Sequence, residues 1–179
     1  MTEQELIQGC QKGKSAHQRE LVRRFAPILL TVCRRYVPDL PTAEDALQET
    51  FIRVFRHISG YKPSGSFEGW LRRIAVTTSL KLRKKMRFAT EFPAEKAHLP
   101  ETVLLPEVLP RLGAEEILRL IDGLPDGYRT VFNLSIIDGY SHREIAGLLH
   151  ITESASRSHL ARARKQLIQR ITQQEKIML

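Results

Sequence analysis

The stretch from Ser141 to Arg170 constrains the fold most strongly, because it predicts two helices joined by a very short turn. Ser141 and Glu144 stand three residues apart, as in a capping box, where two side chains each accept a hydrogen bond from a backbone N–H at the helix start. Thr152 can cap the second helix. Residues 150–152 leave room only for a tight turn, so the stretch predicts a helix-turn-helix.

The second of these helices has two chemically different faces. An apolar stripe at helical spacing predicts the buried face, and it consists of Leu160, Ala163, Leu167 and Ile171. The outward face, which we call the recognition face, carries basic and small residues: Arg157, Ser158, Ala161, Arg162 and Lys165. Such a helix fits the major groove of DNA, where arginine reads guanine edges. A solvated basic face is the alternative, but the capped helix and the tight turn favour DNA reading.

Composition narrows the class of protein. Among 179 residues, 28 lysines and arginines stand against 20 aspartates and glutamates, and the net charge of +8 favours a polyanionic partner. Cys10 and Cys33 lie far apart, which predicts buried thiols in a reducing compartment rather than a zinc site or a disulfide framework. The six histidines have neither metal-ligand spacing nor a nucleophile–base pattern, so we expect no metal, no cofactor and no enzymatic activity. The polar N-terminus and the lack of a long apolar run predict a soluble cytoplasmic protein without membrane insertion.

A helix predicted from Ala43 to Ile58, with Thr42 as its cap, carries a core stripe and a second patterned face. The predicted core stripe consists of Leu47, Phe51, Val54, Phe55 and Ile58. The second group, which we call the Ile52 face, lies off that stripe at helical spacing: Asp45, Gln48, Glu49, Ile52 and Arg53. An acidic patch around an apolar centre suggests a protein partner. An ordinary exposed face, supported by a Glu49–Arg53 pair, is an equally good explanation from spacing alone.

The segment Gly60–Phe67, which we call the aromatic loop, contains two glycines, a proline and two serines, with Tyr61 and Phe67 near its ends. The helix after it carries Trp70 and then seven basic residues between positions 71 and 87, with no acid among them. Cations that follow a nucleic-acid backbone and rings that stack on unpaired bases suit a single strand. The alternatives are that Trp70 packs in the core and that the basic run is a solvated surface.

Residues 88–113 interrupt the helical pattern. Four prolines in this segment exclude one continuous helix and predict a linker between two domains. The linker is too apolar for a freely solvated tether, so we expect it to dock on a domain or on a partner. No segment shows sustained period-two alternation. The sequence therefore predicts an all-α protein with two small helical domains, 1–88 and 113–179, joined by a Pro-rich linker over 89–112.

Four motifs together resemble the bacterial sigma-70 family of initiation factors. They are AEDALQETFIRVFRHI, SFEGWLRRIAVTTSLKLRKK, IDGLPDGYRTVFNLSIIDGYSHREIAGLLHIT and SHLARARKQL, in that order. Within the family they are most similar to the extracytoplasmic-function (ECF) group, which keeps only the second and fourth conserved regions. The resemblance implies a region 2 helical bundle in the first domain and a region 4 helix-turn-helix in the second.

The resemblance also implies a role for each surface. The Ile52 face would bind core RNA polymerase, and the recognition face would read the duplex −35 element of promoter DNA. The aromatic loop would capture a flipped base of the −10 element, and the next helix would lie along the melted, single-stranded −10 DNA. The residues implied for the −10 element are Tyr61, Lys62, Ser64, Ser66, Phe67, Trp70, Arg73, Thr77, Thr78 and Lys81.

The implied function is that of a sigma subunit, which directs polymerase to specific promoters and opens the DNA without catalysis. Members of this group are often held by an anti-sigma factor, and we expect a monomer when the protein is free. The alternative is a stand-alone helix-turn-helix regulator, which would bind a two-fold operator as a dimer without polymerase.

Three residues depart from the family pattern. His150 stands where many helix-turn-helix motifs have glycine in the turn, and Ser156 stands where a β-branched apolar residue is usual. These two departures allow a distorted turn or a slightly rotated second helix. Thr77 stands where many relatives carry asparagine, which leaves the base preference at −10 open.

Overall fold

The computed structural model of the protein describes residues 1–63, 65–86 and 114–177, except for the side chains of residue 114 and of residues 174–177. These residues are helical or in turns, and no strand occurs among them, so the predicted all-α class is confirmed. The chain divides into two compact units, Met1–Thr90 and Glu91–Leu179. The predicted linker at 89–112 lies outside the described residues.

Unit 1 is a bundle of four helices: α1 (Glu3–Gln11), α2 (Ser15–Arg34), α3 (Leu40–His57) and α4 (Phe67–Met86). One 3-10 turn, Ile58–Gly60, follows α3. Helices α2, α3 and α4 pack against one another, while α1 packs on α2 and on the 3-10 turn. The core is apolar, and burial of each large side chain stabilises the fold by roughly 1.5–3 kcal/mol. Its buried side chains include Leu6, Leu21, Phe25, Leu29, Val32, Val54, Leu71 and Val76.

The predicted start of α3 at Ala43 with Thr42 as cap is wrong. The helix begins at Leu40, and the Asp39 side chain caps it by accepting a hydrogen bond from the backbone N–H of Thr42 at 2.8 Å. Pro41 resembles a helix breaker in the sequence, but in the first turn its missing N–H costs no hydrogen bond. The buried face is also rotated from the predicted stripe: Ala46 and Thr50 are fully buried, whereas Leu47 and Phe55 are only half-buried.

From residue 114 to 177, unit 2 contains four further helices: α5 (Ala114–Asp122), α6 (Asp126–Phe132), α7 (His142–Leu149) and α8 (Glu153–Ile177). A π-helical segment, Asn133–Ile137, extends α6. Helices α5, α6 and α7 pack on α8. The predicted buried stripe of α8 is confirmed, because Leu160, Ala163, Leu167 and Ile171 are all at most 7% exposed.

Helices α7 and α8 form the predicted helix-turn-helix. Ser141 and Glu144 make both hydrogen bonds of the capping box, and the Thr152 hydroxyl accepts from the N–H of Ala155 at 3.0 Å. His150 ends α7 with φ 57° and ψ 43°. This is the left-handed conformation that glycine usually supplies at a helix end. The turn therefore has the usual geometry, and His150 adopts it at the expense of local backbone strain.

Candidate protein and nucleic-acid interfaces

The five residues of the Ile52 face lie together on the solvent side of α3, opposite the buried Ala46, Thr50 and Val54. Ile52 is 52% exposed, so its apolar side chain faces solvent. Around it, the carboxylate of Glu49 accepts a hydrogen bond from Arg53 Nε at 2.8 Å. The structure thus brings together an exposed apolar centre and a rim of charged and polar groups, which is the composition of many protein–protein contact surfaces.

Two rings of the aromatic loop, Tyr61 and Phe67, form a cluster with Trp70 of α4. The Tyr61 ring centroid lies 4.9 Å from that of Trp70 and 5.2 Å from that of Phe67, and the Phe67 and Trp70 rings are stacked at 5.7 Å. Tyr61 and Trp70 are half-buried, so each keeps part of its ring at the surface. The solvent-accessible edge of this cluster offers an aromatic surface beside a turn.

Phe67 does not reach that surface. Its ring is 1% exposed and packs edge-on against Phe25 of α2, with centroids 5.8 Å apart. This burial corrects the expectation that its side chain meets DNA directly. Phe67 instead supports Tyr61 and Trp70 from the core side.

The ends of the aromatic loop are fixed by hydrogen bonds. The Ser66 hydroxyl accepts from the N–H of Gly69 at 3.0 Å and so caps the start of α4. The Tyr61 hydroxyl donates to the carbonyl of Gly65 at 3.4 Å. Lys62 is exposed, and Ser64 lies outside the described residues.

The residues predicted along α4 fall into two groups. Arg73 and Lys81 are exposed, and Thr77 is half-buried, with its hydroxyl hydrogen-bonded to the carbonyls of Arg73 and Ile74. Thr78 is 2% exposed and belongs to the core, so its predicted contact with DNA is corrected in the same way as that of Phe67. The family resemblance, not helical periodicity, implied that contact, and α4 is packed by both α2 and α3.

The basic run on α4 is less uniform than its sequence indicates. Arg83 is buried, and Arg72 pairs with Glu68 one turn earlier, at 2.7 Å. The acid that accompanies the run therefore comes from the first turn of the helix, just outside the segment in which the sequence shows none.

On the recognition face, Arg157 and Lys165 are exposed, while Ser158 and Arg162 are half-buried. Arg157 pairs with Glu153 at 3.2 Å. Ala161 is only 7% exposed, so it contributes little surface, contrary to its predicted outward position. Arg162 Nη1 donates a hydrogen bond to the hydroxyl of Tyr128 on α6 at 3.1 Å, a partner 34 residues away that no local pattern indicated.

The surroundings of Ser156 account for a serine at a position where a β-branched apolar residue is usual. Its side chain is fully buried between the helices of the motif, and its hydroxyl oxygen lies 2.8 Å from Nδ1 of His142. A hydrogen bond thus joins α7 and α8 where an apolar contact is usual. The neighbouring His159 is also buried, and burial lowers its pKa.

Cys10 and Cys33 are both buried free thiols, as predicted, and burial raises the pKa of each. A raised pKa leaves little thiolate at neutral pH, and the thiolate is the form that binds metals and attacks electrophiles. Over the described ranges, no cluster of three metal-ligating side chains occurs. The helices in those ranges include none with the length and apolar character of a membrane span.

Comparison with known proteins identifies both units. The family model "Sigma-70 region 2" matches residues 21–88, and "Sigma-70, region 4" matches residues 114–167. The ECF RNA polymerase sigma factor SigE of Mycolicibacterium smegmatis is 37% identical over 153 residues, which are 83% of this chain and 59% of that protein. The ECF RNA polymerase sigma-E factors of Salmonella typhimurium and Escherichia coli are each 29% identical over 182 residues, with 92% of both chains covered.

A solved structure of CnrH in complex with the cytosolic domain of CnrY has the same fold. It aligns with a TM-score of 0.52 and 22% identity, over 93% of this chain and 95% of that chain. The two family regions follow one another in the expected order, each on its own helical unit. The chain belongs to the sigma-70 family, and within it to the ECF group.

Proposed function

We propose that this protein is the promoter-recognition subunit of a bacterial RNA polymerase, and that it initiates transcription by reading duplex −35 DNA and melted −10 DNA. Residues 1–88 would bind core polymerase and the −10 strand, residues 113–179 would bind the −35 element, and 89–112 would link them through the polymerase. The observation that carries the proposal is the aromatic loop. Tyr61 and Trp70 have partly exposed rings 4.9 Å apart, and both rings pack on the buried ring of Phe67. A duplex reader has no need of such a surface.

The chemistry of the loop suits an unpaired base. Flipping a base out of a duplex costs a few kcal/mol. Stacking on an aromatic ring returns about 1–3 kcal/mol per base, and cations along the backbone add electrostatic attraction. Lys62, Arg73 and Lys81 are exposed, and in this proposal they lie along the backbone of the strand. A promoter would then be a sequence whose melted form binds this unit better than its duplex form, and no covalent bond is made or broken.

The Ile52 face and the recognition face complete the proposal. The first would dock on core polymerase through Ile52, with Asp45, Gln48, Glu49 and Arg53 as its polar rim. The second would contact the −35 major groove through Arg157, Ser158, Arg162 and Lys165. Because polymerase holds both units, binding of one element raises the effective concentration of the other.

Further partners follow from the family. We propose an anti-sigma factor that covers one or more of these surfaces, a free monomeric state and a cytoplasmic location with the polymerase. The complex of CnrH with the cytosolic domain of CnrY supports a protein partner for this fold. Size-exclusion chromatography with light scattering tests the monomer.

The test of function combines purified protein with bacterial core RNA polymerase. We expect stoichiometric binding, followed by transcription from a defined −35/−10 pair selected out of a random promoter library. A tight dimer on duplex DNA, with no affinity for core enzyme, would instead identify a stand-alone regulator.

A further inference from the structure

Gln11, the last residue of α1, reaches the segment from which the aromatic loop starts. Its side-chain Nε2 lies 3.2 Å from the carbonyl oxygen of Ile58 and 3.3 Å from that of Tyr61. One amide NH2 carries two donor hydrogens, so both are used. The backbone N–H of Tyr61 closes the 3-10 turn onto the same Ile58 carbonyl at 3.1 Å. Gln11 therefore ties both ends of this turn to α1, across 47 and 50 residues of sequence.

Helix α1 is a fixed support for these bonds. Leu6 and Cys10 are buried, and Thr2 and Glu5 close a complete capping box at its start. Gly9 allows a close approach to α2, because a Cβ at this position would lie 1.9 Å from Cδ2 of the His17 ring. The helix is thus held at its start and along its buried side, and its last residue is the one that contacts the turn.

The two carbonyl contacts bear directly on the aromatic cluster. Tyr61 supplies both the carbonyl bound by Gln11 and the ring that packs on Trp70 and Phe67. Fixing the Tyr61 backbone restricts where its ring can lie relative to Trp70. A recognition surface that is ordered before binding pays less conformational entropy when the ligand arrives.

On the basis of the proposed function, we infer that Gln11 is a positioning residue for −10 recognition, and that α1 is part of the −10 reader. Gln11 would not touch DNA. It would hold the start of the aromatic loop so that Tyr61 and Trp70 present one fixed surface to the captured base. This role lies outside residues 21–88, where the region 2 model matches.

The test uses the full chain assembled with bacterial core polymerase. Gln11→Ala removes both donors, Gln11→Glu removes them with nearly the same shape, and Gln8→Ala is the control on an exposed glutamine of the same helix. Wild-type holoenzyme first selects a promoter from a random library. Each holoenzyme is then titrated with fork DNA that is single-stranded over the selected −10 element and carries each of the four bases at the most strongly selected position.

We expect Gln11→Ala and Gln11→Glu to bind the selected base roughly three- to tenfold more weakly and to lose discrimination against the other three bases. Gln8→Ala should match wild type, and core affinity and duplex −35 binding should be unchanged in all variants. The inference is overturned by wild-type discrimination in both Gln11 variants, by an equal loss at all four bases, or by a loss in Gln11→Ala alone. If wild-type holoenzyme selects no promoter, the proposed function itself fails, and the inference falls with it.

Discussion

The guanidinium of Arg162 on the recognition face donates a hydrogen bond to the hydroxyl of Tyr128, with Nη1 3.1 Å from the oxygen. Tyr128 lies on α6, outside the helix-turn-helix, and its ring packs edge-on against His159 at 5.3 Å. A third helix thus restrains one of the residues proposed to read the −35 element.

The first prediction concerns this restraint. Arg162→Ala should reduce −35 discrimination by roughly 1–3 kcal/mol if the guanidinium contacts a base edge. Tyr128→Phe should reduce it by about 1 kcal/mol, because the ring stays in place while the hydrogen bond that orders Arg162 is lost. Competition binding of duplexes with single −35 changes measures both. In the Arg162→Ala background Tyr128→Phe should have no further effect, and tighter binding by Tyr128→Phe alone would show that Tyr128 competes with DNA for Arg162.

The Ile52 face gives a second prediction. Glu49→Lys combined with Ile52→Asp should abolish binding to core polymerase, since the variant replaces the apolar centre and reverses a charge on its rim. Both side chains lie off the buried face of α3, so the thermal unfolding midpoint should change little. Fluorescence anisotropy against labelled core enzyme measures affinity. His57→Ala, on an exposed residue at the end of α3 that lies off the Ile52 face, is the matched control and should bind normally. Undiminished affinity in the folded double variant would contradict the assignment.

The turn of the helix-turn-helix gives a third prediction. His150 is the one non-glycine residue with positive φ in the described ranges. A left-handed conformation costs an L-residue about 1–2 kcal/mol, and glycine avoids most of that cost while adding entropy to the unfolded chain. His150→Gly should therefore stabilise unit 2 by up to about 1 kcal/mol in urea denaturation, whereas His150→Val should destabilise it. A loss of stability in His150→Gly would show that the imidazole makes a contact worth more than the strain.

His159 gives a prediction about pH. Burial lowers its pKa below the usual value near 6.5, so the folded state binds fewer protons than the unfolded state as the pH falls through that value. Stability of unit 2 should therefore decline as the pH falls below about 6.5. His159→Gln cannot take up a proton there, and its calorimetric unfolding temperature should depend less steeply on pH between 7.5 and roughly 5. Equal slopes in the two proteins would exclude His159 as a source of the acid sensitivity.

Local sequence signals predicted the parts of the fold that depend on neighbouring residues. The capping box at Ser141, the cap at Thr152 and the apolar stripe of α8 all arise from contacts within one or two helical turns, and the structure has each of them. The family resemblance supplied the functional roles, which periodicity could not provide.

Long-range packing accounts for what the sequence did not show. Phe67, Thr78 and Ala161 were expected at the surface, but each is buried by a neighbour whose position only the tertiary fold determines. The contacts of Gln11 with Tyr61 and of Arg162 with Tyr128 join residues tens of positions apart, for which no periodic signal exists. His150 was expected to allow a distorted turn because it replaces the usual glycine. The turn is regular because the surrounding fold stabilises the left-handed backbone conformation without glycine.

The intrahelical ion pairs described above have a consequence for free protein. Arg53, Arg72 and Arg157 each pair with a glutamate one turn earlier on the same helix. These arginines carry their own counterions, so in the unbound protein they attract arbitrary DNA less strongly than unpaired arginines at the same positions would. Exposed pairs of this kind are worth at most about 1 kcal/mol, so a correctly placed phosphate or base can displace the glutamate at little cost. These intrahelical pairs would therefore weaken non-specific binding to DNA and leave the affinity for the matched promoter almost unaffected.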